Sequence, residues 1–185
     1  MKEFYPITIA GLERQLKLCP LNDKLYIGAF IIIGDPELTE KSASELLKKA
    51  PEYDYILSAE SKGIPLAHEM ARQRGDAKYM VARKSVKLYM SDVLDVTVNS
   101  ITTANTQHLY IDGADAELMR GKRVLIVDDV ISTGESLRSL EALVNETGAE
   151  IVGKMAILAE GDAADREDII YLEKLPLFDA EGNAI

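Results

Sequence analysis

The chain has 185 residues, of which 47% are hydrophobic and 28% charged, and 31 acidic against 21 basic residues give a formal net charge of −10. This composition describes one globular domain with a substantial core and excludes a disordered polymer. The acidic excess disfavours a generic nucleic-acid or anionic-membrane surface. The lone Cys19 excludes an internal disulfide and a cysteine-built zinc site. No secretion signal or membrane-length apolar run is evident, so a cytoplasmic protein is expected.

In chain order, residues 1–34 are strand-like, with Gln15 to Cys19 alternating and Lys24 to Ile33 apolar around Gly28, and they predict a small antiparallel lobe. Asp35-Pro36-Glu37 announces a helix: an N-cap, a proline at the first helical position and an acid in the first turn. Leu38, Ala43, Leu46, Leu47 and Ala50 form its apolar stripe, and Pro51 ends it. Tyr53 to Ala59 reads as a strand, and Glu60-Ser61-Lys62-Gly63 joins it to a helix from about Ile64 to Arg74. A hydroxyl, a lysine and a glycine in such a turn can present donors to a diphosphate. A short strand at Tyr79 to Ala82 leads into Arg83, Lys84 and Lys87, a basic cluster in an acidic chain. Residues 91–111, rich in Val, Thr and Ile, suit two antiparallel strands around a turn at Thr102 to Thr106. His108 reads as a surface strand residue, and His68 as helix packing or a residue supporting the site from behind.

The most informative stretch is 124–136. Val124 to Val127 is an unbroken apolar run, the pattern of a strand buried on both faces of a parallel sheet, and Asp128 and Asp129 are expected to end it. Two carboxylates at that edge suit hydroxyls or a hydrated divalent ion. Val130 and Ile131 follow as apolar wall. Ser132-Thr133-Gly134-Glu135-Ser136 then opens a helix carrying Leu137, Leu140 and Val144 and stopped by Gly148, so its backbone N–H groups can cradle an anion. Ile151 to Leu158 and Ile169 to Leu172 are further strands. Alternating strands and helices call for an α/β fold, with a parallel sheet flanked by helices and an antiparallel addition.

The run of apolar strand, Asp-Asp, two aliphatics and Ser-Thr-Gly-x-Ser resembles the phosphoribosyl pyrophosphate (PRPP) signature of the type I phosphoribosyltransferases. The turn Glu60 to Gly63 is similar to the pyrophosphate loop of the adenine enzymes, and Ala82-Arg83-Lys84 is similar to a segment of the adenine and xanthine enzymes that reaches pyrophosphate, commonly across a dimer interface. Residues 91–111 resemble the loop that closes over the site. Glu160 with Arg166-Glu167 is similar to another adenine-enzyme segment, although its Gly-Arg-Glu has become Asp-Arg-Glu here. The resemblance implies a single type I domain, 35–160 being the core and 1–34 with roughly 160–185 the hood, and it implies a homodimer.

It also implies roles. Asp128, Asp129, Arg83 and Lys87 would be catalytic, and Ser132, Thr133, Gly134, Glu135 and Ser136 would hold the 5′-phosphate. Glu60, Ser61, Lys62, Gly63, Arg83, Lys84 and Lys87 would surround pyrophosphate. Mg²⁺ would sit by Asp128 and Asp129, largely through PRPP and water. The implied reaction is displacement at C1 of PRPP by a base nitrogen. Hypoxanthine/guanine enzymes carry an aspartate where this chain has Ser132, and xanthine enzymes use a lysine and an asparagine where it has Gly161 and Ile33. Adenine is therefore the expected base, with Tyr26, Ile27, Ile33 and Val130 as its pocket. Xanthine, orotate (through the resemblance of Lys62 to Ala67) and a PRPP-binding regulator without turnover stay open. Adenine enzymes often have an acid near the loop tip, where Thr103 or a neighbour stands, so the proton-handling residue is unassigned.

Overall fold

A computed structural model describes residues 2–99 and 106–185. The turn expected at Thr102 to Thr106, with Thr103, thus lies essentially outside the described residues. The first three strands, β1 (Phe4–Ile9), β2 (Leu12–Pro20) and β3 (Tyr26–Ala29), form an antiparallel sheet in the order β1-β2-β3. Along β1 and β2 alternate residues Ile7, Ile9, Leu16 and Leu18 are buried, the signature of a sheet with one wet face. The tail returns to this lobe: Tyr26 and Phe178 exchange backbone hydrogen bonds of 2.8 and 2.9 Å, and the Phe178 ring meets Tyr5 edge-on at 4.8 Å.

Helix α1 (Pro36–Leu47) starts where its capping residue predicts. The Asp35 carboxylate accepts from Leu38 N at 3.0 Å and is also paired with Arg14 at 2.7 Å, which ties the helix start to β2. It ends at Leu47 rather than running to Pro51, and Leu47 and Ala50 are only partly buried. Next come β4 (Tyr55–Ala59), α2 (Ile64–Arg74) and β5 (Met80–Ala82), then the antiparallel hairpin β6 (Leu94–Asn99) and β7 (Thr106–Ile111). The short helix α3 (Gly113–Met119), capped by Asp112, carries no apolar stripe long enough to announce it. The remainder is β8 (Arg123–Ile131), α4 (Glu135–Thr147), β9 (Glu150–Glu160), a 3-10 turn at Gly161–Asp165 and β10 (Ile170–Leu175).

Among the described residues the central sheet is parallel and five-stranded, in the order β10-β9-β8-β4-β5. Its strands send alternate residues to opposite faces. Leu125 and Val127 pack with Leu38 and Leu46 of α1, Leu66 and Met70 of α2, and Ile9 and Phe30 of the first lobe. Val124 and Ile126 pack with Leu137, Leu140 and Val144 of α4 and with Leu109 and Ile111 of β7. Each such side chain taken from water contributes about 1.5–3 kcal/mol before chain entropy is charged against it. The two layers hold the sheet's carboxyl edge, and the turns that leave it, in one place.

One sequence expectation needs correction. β8 does not end at Asp128 and Asp129: Asp128 pairs with Ala156, Val130 with Leu158 and Ile131 with Ala159. The neighbouring β9 is 11 residues long and keeps offering backbone partners past the carboxylates, so the ladder continues although the apolar run has stopped.

Candidate active site

Three strand ends meet at the carboxyl edge, those of β4, β5 and β8. A cavity of about 460 Å³ opens among them, bordered by Ala59, Glu60, Ser61, Lys62, Lys84, His108, Leu109, Asp128, Asp129, Val130 and Ser136. That size suits a small ligand.

The turn after β4 is held close to β8. A Cβ on Gly63 would stand 2.2 Å from Ser58 Oγ and 3.0 Å from Asp128 Oδ1, so only glycine permits this approach. From this turn Lys62 reaches across and places Nζ 3.0 Å from Asp129 Oδ2. Asp129 is 4% exposed, and that oxygen accepts no hydrogen bond, so the contact is an ion pair without hydrogen-bond geometry. Asp128 Oδ1 accepts from the Asp129 backbone N–H at 2.9 Å. Burial, and then the charge of Asp129, push the Asp128 carboxyl up to about 7.

Glu60 turns the other way. Its carboxylate accepts from Lys84 N at 3.1 Å and lies 3.7 Å from Arg83 Nε and 3.8 Å from Lys87 Nζ. The Lys84 backbone donor first, and the nearby cations after it, hold this carboxyl below the usual glutamate range. Arg83 also exchanges backbone hydrogen bonds with Tyr110, at 2.7 and 2.8 Å, which hangs the β6–β7 hairpin on the end of β5. Of the expected pyrophosphate cations, Lys62 and Lys84 border the cavity, whereas Arg83 and Lys87 face Glu60 beside it.

The turn after β8 makes its own concavity of about 90 Å³, bordered by Ser132, Thr133, Gly134, Glu135 and Ser136 together with Asp128 and Val130. Gly134 has φ +77° and stands at the start of α4, a backbone that favours glycine and leaves the helix's first N–H groups without helical acceptors. Asp128, Val130 and Ser136 border both hollows, so the cradle adjoins the larger cavity.

The proposed base pocket fares differently. Val130 borders the cavity, but Tyr26 and Ile27 lie in β3 paired with Pro20 and Cys19 of β2, and Ile33 is 52% exposed; none of these three borders it. His108, read from sequence as a surface strand residue, does border it. The signal lay in Leu109 and Ile111, whose burial orients β7, but only tertiary pairing of Tyr110 with Arg83 reveals what the strand adjoins. His68 instead meets Tyr79 edge-on at 5.8 Å.

Among the described residues no group of three or more His, Cys, Asp or Glu could hold a metal ion by itself. The Asp128 and Asp129 carboxylates, one oxygen of which accepts no hydrogen bond, fit an ion coordinated mainly by substrate oxygens and water. No helix among the described residues is long and apolar enough to cross a membrane.

Residues 33–177 match the phosphoribosyl transferase domain, and the chain belongs to that family. It is 31% identical over 163 residues to a hypoxanthine/guanine phosphoribosyltransferase of Methanohalophilus mahii, covering 84% of this chain and 82% of the relative. A protein of the same description from Methanotorris igneus is 31% identical over 160 residues, 82% of this chain and 83% of the relative. In fold the chain is similar to the adenine phosphoribosyltransferase of Thermoanaerobacter pseudethanolicus, with a TM-score of 0.64 at 24% identity over 77% of this chain and 84% of that one. The adenine phosphoribosyltransferase of Rhodothermus marinus gives 0.62 at 20% identity, covering 94% of each chain.

Proposed function

We propose that this protein is a purine phosphoribosyltransferase that joins a purine to the ribose 5-phosphate of PRPP and releases pyrophosphate. The observation that carries this reading is the adjacency of two hollows, an anion cradle at the start of α4 and a cavity holding the Asp128–Asp129 pair with Lys62 and Lys84. A sugar phosphate seated with its 5′-phosphate on residues 132–136 has its ring over the two aspartates, which can accept from ribose hydroxyls. Its C1 side then faces Lys62 and Lys84, where negative charge accumulates as pyrophosphate departs. Asp128 and Asp129 are the residues that would hold Mg²⁺ through substrate oxygens and water, and the ion would offset charge on the diphosphate. No side chain needs to form a covalent intermediate.

For the base, a 6-oxopurine, hypoxanthine or guanine, is the reading favoured here, because the relatives at 31% identity over more than four-fifths of this chain carry that activity in their names. Adenine is the second reading. Tyr26, Ile27, Ile33 and Val130 are the pocket residues that go with it, and of these Val130 borders the cavity. Ser132 in place of an aspartate favours adenine. The test is pyrophosphate release from PRPP with each base offered separately.

The segment after β5 leaves Val86, Leu88 and Tyr89 exposed beside Lys84 and Lys87. An apolar patch next to a site that must handle diphosphate supports a homodimer in which this segment is covered by a second copy.

A further inference from the structure

We propose that His108 contacts the substrate in this cavity, its Nε2 donating a hydrogen bond to an oxygen of the departing pyrophosphate; this rests on the phosphoribosyltransferase reading. Three observations place the imidazole for the task. First, His108 borders the cavity together with Glu60, Ser61, Lys62 and Lys84. Second, its ring is positioned. Nδ1 lies 3.0 Å from Thr97 Oγ1, on the residue directly opposite in the hairpin, and the ring runs nearly parallel to Tyr110, at 12° and 6.2 Å between centroids. Tyr110 is in turn locked to Arg83 by two backbone hydrogen bonds, so β7 is anchored to the end of β5 two residues from the histidine. With Nδ1 engaged by Thr97, Nε2 is the nitrogen left for a ligand.

Third, part of the basic charge around the cavity is already matched by carboxylates. Lys62 is offset by Asp129 at 3.0 Å, and Arg83 and Lys87 lie by the Glu60 carboxylate outside the cavity lining. Among the described residues, Lys84 and His108 border the cavity beside the Ser61 and Ser136 hydroxyls as groups that can donate to a diphosphate. In the transfer, the C1–O bond breaks with its electron pair going to the pyrophosphate oxygen. The purine nitrogen's lone pair forms the C1–N bond, and the purine N–H proton passes to water. His108 keeps its own proton throughout and donates to the oxygen that gains charge, which makes the interaction stronger in the transition state than in the ground state.

The test compares wild type with His108→Phe, which keeps a ring against Tyr110 but has no donor, and His108→Gln, whose amide N–H can stand near the place of Nε2. Kinetics are measured in both directions with the purine that wild type turns over, and thermal melting checks the fold. His108→Phe is expected to lower kcat/KM for PRPP by about 10²-fold, the usual cost of one transition-state donor, and to raise KM for pyrophosphate in the reverse reaction while the nucleotide KM stays within about 2-fold. His108→Gln is expected to recover most of the loss. A folded Phe variant with wild-type kinetics overturns the proposal. So does a Gln variant as impaired as Phe, because a histidine acting as a base is not replaced by an amide. A wild-type protein without turnover on any purine removes the phosphoribosyltransferase reading itself and the proposal with it, so the two failures are distinguishable.

Discussion

The ammonium of Lys62 stands 3.0 Å from the carboxylate of Asp129, joining the turn after β4 to the adjacent strand β8. Asp129 is almost wholly buried while Lys62 is 48% exposed. The pair therefore matters mainly as the counter-charge to a buried carboxylate. Lys62→Ala is expected to cost about 1–2 kcal/mol, less than for a fully buried pair because solvent reaches the lysine side. Urea denaturation measures it, and a cost that vanishes in the Asp129→Asn background, by a double-mutant cycle, identifies the pair as its source.

Asp128 gives the stability of the folded chain a pH dependence. Its carboxyl is pushed up from 3.8 to about 7 in the folded chain. Between those values the folded protein holds a proton that the unfolded chain has released, so the contribution of Asp128 to stability falls as pH rises through that window and stays low above it. Asp128→Asn is expected to stabilise the ligand-free protein at pH 8, by on the order of 1–3 kcal/mol, with little gain at pH 4. The same substitution is expected to lower turnover by at least about 10²-fold, since it removes an acceptor for the ribose. Denaturation curves at the two pH values check the first point. Equal gains at both would assign the effect to packing.

Gly63 tests the close approach of the β4 turn to β8. Gly63→Ala is expected to cost about 1–3 kcal/mol by overpacking against Ser58 and Asp128 and to reduce PRPP affinity by shifting Lys62. Ser58 Oγ is buried without a hydrogen-bond partner, so Ser58→Ala alone is expected to be neutral or slightly stabilising. In the Gly63→Ala background it should recover part of the loss. Thermal melting of the two single variants and the double variant measures this.

The exposed segment at Val86, Leu88 and Tyr89 predicts the oligomeric state. Sedimentation velocity is expected to give a dimer for the wild type and a monomer for Leu88→Asp with Tyr89→Asp, because two buried charges without partners outweigh an interface of ordinary size.

Much of this organisation was legible in the residues. Asp35 caps α1, Gly148 ends α4 with positive φ, and the turns after β4 and β8 reach one edge because parallel strands deliver their carboxyl ends together. What escaped were properties that depend on a neighbour in space. The length of β9 decides where β8 stops, and the pairing of Arg83 with Tyr110 decides that His108 adjoins the cavity. Tyr26 and Ile33 belong to the pocket that the adenine expectation implies, and the path of the first lobe, set by its packing on β2 and on the tail at Phe178, determines what they adjoin.

PRPP-dependent transfer to a purine is tested by pyrophosphate release from the purified protein with Mg²⁺ and PRPP. Hypoxanthine, guanine, adenine, xanthine and orotate are offered one at a time. Rapid release is expected with hypoxanthine or guanine, abolished in Asp129→Asn. Release with adenine alone would keep the reaction and move the base to the second reading. Release with none of the five, alongside measurable PRPP binding, would contradict the claim and leave a protein that binds PRPP without turning it over.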